Sequence, residues 1–109
     1  MMKMYKHEYD SYKQKVNTYE IEVEEKPKTY IVTQNVKGAW ESRIFKTDID
    51  KLEGRLTPKM FSLTPDPTPF IKALIEHEEF RIKTLKEQLN KVVANKTILL
   101  KIYDDRKER

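Results

Sequence analysis

The stretch FIKALIEHEEFRIKTLKEQLNKVVA, residues 70–94, carries the strongest pattern in the chain. Apolar residues recur along it at alternating spacings of three and four: Ile71, Ile75, Ile82, Leu85, Leu89 and Val92, with one position skipped. This alternation is the heptad repeat of a helix that packs against another helix. The pairs Glu79–Lys83 and Glu87–Lys91 each add about 0.3–0.5 kcal/mol to helix stability. The stretch therefore predicts one long helix with a coiled-coil-like face.

The heptad frame has two polar positions, Glu78 and Lys96, and it continues through Leu99 and Tyr103. Asn95-Lys96-Thr97 is a candidate end of the helix, and residues 97–103, TILLKIY, are then a candidate strand. We favour a helix over residues 70–105, because the frame persists and the tail DDRKER is a suitable solvated end.

The segment before the helix, TPDPTPF at residues 64–70, is dense in proline. Pro65, Pro67 and Pro69 disfavour a helix before them and pre-set φ for one that follows. We expect a connector over residues 64–69, with Asp66 or Thr68 as the residue that caps the helix.

Residues 18–63 have the patterns of a sheet. TYEIEVE (18–24) alternates apolar and acidic residues, EKPK (25–28) interrupts it, and TYIVT (29–33) completes a predicted hairpin. AWESRIF (39–45) predicts a third strand, KTDIDKLEG (46–54) a single helical turn that Gly54 closes, and KMFSL (59–63) a short fourth strand. We predict an α+β domain over residues 1–109: a small antiparallel sheet of three to four strands, mainly within residues 1–63, followed by one long C-terminal helix.

The N-terminal stretch YKHEYDSYKQK, residues 5–15, fits two structures. Tyr5, Tyr9, Tyr12 and Val16 have the spacing of one helical face, whereas an edge strand places Tyr5, His7 and Tyr9 together. Residues 4–16 are therefore a helix or an edge strand. In either structure we expect the tyrosines to cover a core rather than to stack on nucleic-acid bases.

The positive charge is concentrated in the middle of the chain. The net charge is +4, and residues 26–59 hold eight basic and four acidic residues. The candidate ligand- or partner-binding residues are Trp40, Arg43, Lys37, Lys46 and Lys28, since an aromatic plane beside cations can stack a base and pair a phosphate. These residues predict a nucleic-acid or nucleotide-binding module as the alternative function. For Trp40 we favour an anchor in the core, because it shares a predicted face with Ile44.

Catalysis and metal binding find little support in the sequence. The chain has no cysteine, two histidines and two glycines, which excludes thiolate chemistry and a glycine-rich phosphate loop. HEEFR (77–81) begins like a zinc-binding helix, but Arg81 stands where the second histidine is needed. Glu20, Glu22 and Glu24 lie along a predicted solvated strand face and make poor acids or bases. We expect no catalytic residue, no metal site and no cofactor.

The composition indicates a cytoplasmic protein. Hydrophobic residues make up 38% and charged residues 37% of the 109 residues. The start MMKMYKHEYD has no apolar segment of a secretory signal, and the longest aliphatic run is Ile98-Leu99-Leu100. We therefore expect neither export nor a membrane-spanning segment.

The helix predicts self-association. A helix of 25 residues spans about 37 Å, whereas a strand of five or six residues spans about 17–20 Å, so a small sheet covers only part of the helix. The expected interface consists of Ile82, Leu85, Leu89, Val92 and, in a continuous helix, Leu99. The leading function is thus a non-enzymatic binding protein that forms a homo-oligomer, a dimer or larger.

The order of segments also carries a resemblance. KTY (28–30), RIFKTDIDKL (43–52) and MFSLTPD (60–66), followed by a long charged helix, resemble small accessory proteins of phages and mobile elements in Gram-positive bacteria. The resemblance covers residues 26–95. It implies a non-catalytic protein, plausibly a phage-encoded inhibitor of host defence that binds a host protein or sequesters a nucleotide signal. It assigns no functional residue.

Overall fold

A computed structural model of the chain describes residues 2–34, 41–54 and 57–107. It has an α+β fold in which a five-stranded antiparallel sheet precedes one long helix. The strands are β1 (Met2–Asp10), β2 (Lys15–Glu25), β3 (Thr29–Gln34), β4 (Arg43–Phe45) and β5 (Lys59–Ser62), and the helix is α1 (Thr68–Lys107). The sheet order is β4-β3-β2-β1-β5. The predicted fold class is confirmed, with five strands instead of three to four.

The additional strand is the N-terminal stretch, for which the helical interpretation is wrong. β1 pairs with β2 along its whole length, and it lies between β2 and β5 rather than at an edge. The turn between the two strands is stabilised by Asp10, whose Oδ1 accepts hydrogen bonds from the amides of Tyr12 and Lys13 at 3.0 and 3.1 Å. Gln14 then takes a positive φ of 54°. Because this aspartate turn reverses the chain, Tyr12 is 99% exposed and does not cover a core.

One face of the sheet forms the main hydrophobic core. Its buried residues come from all five strands: Met4, Ile21, Val23, Tyr30, Ile44 and Phe61. The register places Met4 opposite Ile21 across β1 and β2, and Tyr30 opposite Ile44 across β3 and β4. The alternation in residues 18–24 is confirmed, because Ile21 and Val23 are buried while Glu20 and Glu24 are exposed.

The segment between β4 and β5 is only partly helical. A 3-10 turn covers Lys46–Asp48, and Ile49 then forms a parallel bridge to Phe61 instead of continuing the turn. The longer helical turn predicted over residues 46–54 is therefore wrong. Gly54 closes no helix, but its φ of +87° is the positive value expected of a closing glycine, and a Cβ there would lie 2.5 Å from the carbonyl oxygen of Thr57.

The helix α1 begins where the prolines predict and runs through residues 97–103. Asp66 caps its start, since Asp66 Oδ1 accepts hydrogen bonds from the Thr68 amide at 3.0 Å and the Thr68 hydroxyl at 2.7 Å. These two hydrogen bonds hold the pKa of Asp66 below its ordinary value, and the one from the hydroxyl has the larger effect. The chain forms two compact units, one ending at Leu74 and one beginning at Ile75. The second unit consists of helix alone in its described residues, 75–107.

Candidate functional site

The most extensive exposed apolar feature of the described residues is one face of α1. All side chains from Ile75 to Lys107 are exposed except that of Thr84, which is half-buried. The exposed fractions of the predicted interface residues are 52% for Ile82, 57% for Leu85, 61% for Leu89, 63% for Val92 and 65% for Leu99. The structure thus places all five on one helix, at heptad positions of a single face and in contact with water.

The apolar face broadens toward the C-terminal end of α1. Val93, Leu100 and Ile102 lie beside the heptad positions and are each about half exposed, at 54%, 52% and 49%. A shallow groove follows the surface here, and its lining is mostly apolar: Val92, Asn95, Lys96, Leu99, Leu100 and Tyr103. Lys96 belongs to the lining of this groove, with Val92 and Leu99 on either side of it along the heptad frame.

A contiguous apolar surface of this kind has a physical consequence. Isolated helices are marginal in water, and in proteins most helix stability comes from packing of an apolar face. Large exposed apolar patches also mark interaction sites on proteins. The face from Ile75 to Tyr103 therefore has the exposure and the apolar composition of an interaction surface.

Among the described basic residues of the middle section, Lys28 and Lys46 are neighbours, since the Lys46 amide donates to the Lys28 carbonyl oxygen at 3.0 Å. Lys37 and Trp40 lie outside the described residues. Lys46 Nζ donates to Glu25 Oε1 at 3.2 Å and lies 5.3 Å from the centre of the Tyr30 ring. Arg43 is exposed on β4, with its guanidinium 5.7 Å from the centre of the Phe45 ring. Lys28 is also exposed. Binding of nucleic acid or a nucleotide by these residues stays a prediction.

The first unit contains a buried polar cluster around His7, on the sheet face opposite the main core. His7 is 1% exposed, and its ring stacks on that of Phe70 at the start of α1, with 6.0 Å between the centroids. Nδ1 of His7 lies 2.9 Å from the hydroxyl of Thr18, and Nε2 lies 2.8 Å from the hydroxyl of Ser62. The ring thereby links β1, β2, β5 and α1.

The direction of these hydrogen bonds indicates an anchor rather than a nucleophile. The Ser62 hydroxyl donates to the carbonyl oxygen of Thr64 at 2.7 Å. Since its one proton is used there, Ser62 Oγ accepts from His7 Nε2, and Nδ1 accepts from Thr18. A serine nucleophile needs the opposite arrangement, with its proton directed at the imidazole. Ser62 is also only 5% exposed.

This cluster predicts a pH dependence of stability. Burial lowers the pKa of the His7 imidazole below its ordinary value of 6.5, and hydrogen bonding to Thr64 and the charges of Asp66 and Asp50 offset this only in part. The unfolded chain then binds a proton more readily than the folded one. The stabilisation is fully present above pH 6.5 and is lost as the pH falls below it, with a slope of up to about 1.4 kcal/mol per pH unit.

Urea unfolding of the wild type from pH 8 to pH 5 measures this slope. We expect His7→Gln to reduce it, whereas the same substitution at the exposed His77 on α1 should leave it in place. Equal slopes for His7→Gln and the wild type would show that His7 does not titrate between the folded and unfolded states.

A second buried cluster is ionic and lies beside the main core. The ammonium of Lys6 is 3.1 Å from Glu41 Oε1 and 3.5 Å from Glu8 Oε2, although the Lys6 side chain is only 3% exposed. Lys59 Nζ approaches the same Glu41 oxygen at 2.9 Å. Burial opposes ionisation of Glu41, but hydrogen bonds from Lys59, from its own backbone and from Lys6 prevail and lower its pKa. Glu41 thus holds two cations at the edge of the core.

Sequence reasoning missed both clusters, for different reasons. His7 and Ser62 are 55 residues apart, and no local pattern links them. Lys6 did have a signal, because it follows Met4 at the spacing of two that places both on one face of a strand. Because residues 4–16 fitted both a helix and an edge strand, this spacing was not decisive. Among the described residues, no group of three or more His, Cys, Asp or Glu side chains is arranged to hold a metal ion.

Comparisons of the chain with protein-family models, curated proteins and solved structures gave no match. Within the described ranges, no helix combines the length and apolar character that crossing a membrane requires.

Proposed function

We propose that the chain is a non-enzymatic binding protein that self-associates through α1. The observation that carries the proposal is the exposure of every heptad residue from Ile75 to Tyr103 in the single chain. A helix that is stable in water needs cover for such a face, and heptad spacing fits a second helix of the same kind.

The distribution of charge supports a helical partner rather than a membrane surface. Acidic residues Glu76, Glu78 and Glu79 cluster near the beginning of the exposed helix, and basic residues follow from Arg81 to Lys101. A membrane-surface helix has a strongly basic polar face along its length, whereas α1 carries both signs, with Glu87 inside the basic stretch and Asp104 and Asp105 after it. Side chains of opposite charge on one helix can pair with those of a second copy.

Self-association is tested by two substitutions in the seam. Leu89→Glu with Val92→Glu should raise the dissociation constant of the oligomer more than about 1,000-fold. Each chain loses two apolar side chains, and burial of each one stabilises the oligomer by about 1.5–3 kcal/mol. Sedimentation and light scattering should report a dimer or larger for the wild type and a monomer for the variant at 100 μM.

The matched control adds the same charge outside the heptad seam. Asn90→Glu with Thr97→Glu places two glutamates at exposed positions of the same helix, one between the two substituted residues and one after them. This control should keep the oligomeric state of the wild type. A wild-type protein that stays monomeric at high micromolar concentration would rule out the proposed self-association. Binding of a host protein, which the sequence resemblance implies, stays a prediction.

A further inference from the structure

We infer that two copies of α1 pair in antiparallel orientation, with Glu78 of each copy facing Lys96 of the other. The inference rests on the proposed self-association and adds to it the orientation, the register and the role of the two polar heptad positions. Its basis is the position of every heptad residue relative to Glu87.

The heptad residues are symmetric about Glu87. Leu85 and Leu89 each lie two residues from it, and Ile82 and Val92 each lie five. Ile75 and Leu99 each lie twelve residues away. The two polar members, Glu78 and Lys96, each lie nine residues away on opposite sides.

An antiparallel pair converts this symmetry into contacts. In an antiparallel pair the second helix runs in the opposite direction, so its spacings of three and four residues occur in the reverse order. Each residue at the first apolar position of a heptad (a) therefore meets a residue at the second apolar position (d) of the other copy. With the two-fold axis at Glu87, Leu85 packs on Leu89, Ile82 on Val92, and Ile75 on Leu99 of the second copy. Glu78 and Lys96 then meet as opposite charges, twice in the dimer. Both imperfections of the heptad pattern become complementary pairs.

A parallel pair in register gives the opposite result. Each heptad residue then meets its own copy, so that the seam contains a Glu78–Glu78 layer and a Lys96–Lys96 layer. Flanking positions in parallel dimers also pair residue i with residue i+5 of the second helix, which brings Arg81 against Lys86. Like charges facing each other across an interface disfavour that arrangement.

The flanks of the antiparallel pair are compatible with its core. Arg81 faces Asn95 of the second copy, and Gln88 faces its own copy near the axis. Lys86 meets its own copy once, in a region where α1 is exposed to water and the long side chains can diverge. The antiparallel arrangement thus has one like-charge contact in its flanks and none in its seam.

The single chain already holds both groups in suitable positions. Glu78 accepts from Arg81 Nη1 at 3.1 and 3.3 Å, and this pair is exposed with 58% of each side chain in water. The carboxylate is therefore oriented along the helix surface with room for a second cation. Lys96 lies among the apolar residues of the C-terminal groove, where a facing carboxylate stabilises its ammonium.

Charge reversal tests the orientation. Glu78→Lys alone, or Lys96→Glu alone, should weaken self-association by roughly 30-fold or more, because two facing pairs become repulsive. The double variant Glu78→Lys with Lys96→Glu should restore the wild-type dissociation constant to within about threefold. In a parallel dimer each single change reverses the sign of one layer, but both residues of that layer still carry the same charge. The two single variants and the double variant should then all have a dissociation constant like that of the wild type. Glu76→Lys with Lys91→Glu, off the seam, is the matched control.

Disulfide mapping provides an independent reading, since the chain has no cysteine of its own. In the double variant Glu78→Cys with Lys96→Cys, the two thiols of one helix are 18 residues, about 27 Å, apart and cannot bond to each other. Mild oxidation of the assembled antiparallel dimer should link residue 78 of one copy to residue 96 of the other, as identified by mass spectrometry of the peptides. Links of 78 to 78 and of 96 to 96 would indicate a parallel pair.

The outcomes separate the two proposals. Monomeric wild type overturns the proposed self-association and this inference together. A second outcome is that Leu89→Glu with Val92→Glu dissociates the oligomer, but the double charge reversal does not restore affinity and 78–78 links form. This outcome overturns the antiparallel inference and leaves self-association standing. Rescue together with 78–96 links supports both.

Discussion

Phe70→Ala should lower the free energy of unfolding of the first unit by about 3–5 kcal/mol, as expected for truncating a fully buried aromatic side chain. Phe70 is 0% exposed and is the one buried residue of α1. Its ring covers His7, so the truncation also admits water to a buried imidazole and its hydroxyl partners. The loss therefore includes both a cavity and a weakened polar cluster.

The measurement is chemical unfolding of the full chain, followed by hydrogen exchange at the amides of β1 and β5. Phe80→Ala is the matched control, because Phe80 lies on the same helix and is 66% exposed. We expect the control to change stability by less than about 0.5 kcal/mol. Equal losses for the two variants would contradict the role of Phe70 as the anchor that joins the start of α1 to the sheet.

Glu41→Ala should destabilise the first unit by about 3–5 kcal/mol, the range for removing one member of a buried ion pair. Its carboxylate is shared by Lys6 and Lys59, at 3.1 and 2.9 Å. Lys6 is 3% exposed, so its ammonium cannot regain full hydration while the sheet is folded. Without Glu41, Glu8 at 3.5 Å is the carboxylate that remains beside Lys6.

Glu20→Ala is the corresponding control, because it removes a Lys–Glu ion pair that is exposed to water. Lys3 and Glu20 are 2.8 Å apart with 62% and 51% of their side chains exposed, and ion pairs in water contribute little to stability. Thermal or urea unfolding at pH 7 distinguishes the two sites. A loss at Glu41 no larger than that at Glu20 would show that the ionic cluster is hydrated. Because the pKa of Glu41 is lowered, its contribution should decline as the pH falls below the ordinary carboxyl range.

Local patterns predicted those elements whose stability depends on neighbouring residues. Each of three local patterns corresponds to an observed element: the alternation of residues 18–24, the prolines around the start of α1, and the heptads from Ile71 onward. The helix also continues through residues 97–103, because no residue there interrupts it. The short strand predicted from KMFSL is observed as β5, in which Met60 and Phe61 are both buried.

The N-terminal stretch shows where local patterns mislead. Tyr5, Tyr9 and Tyr12 have helical spacing, yet the aspartate turn at Asp10 reverses the chain and makes β1 the partner of β2. Strand pairing over nine residues supplies a continuous ladder of hydrogen bonds, which outweighs a weak helical preference. The placement of β1 between β2 and β5 depends on residues more than 50 positions away, and no local window contains them.

The sequence by itself determined the α+β class, the sheet before the helix and the heptad face of the helix, including the charges at Glu78 and Lys96. Each of these follows from periodicity and turn chemistry within a short window. Only the tertiary structure decided the five-strand order, the burial of Lys6 with Glu41, and the contact of His7 with Ser62 and Phe70. These depend on which strands become neighbours, because a buried charge or imidazole is stable only where distant residues supply its partners.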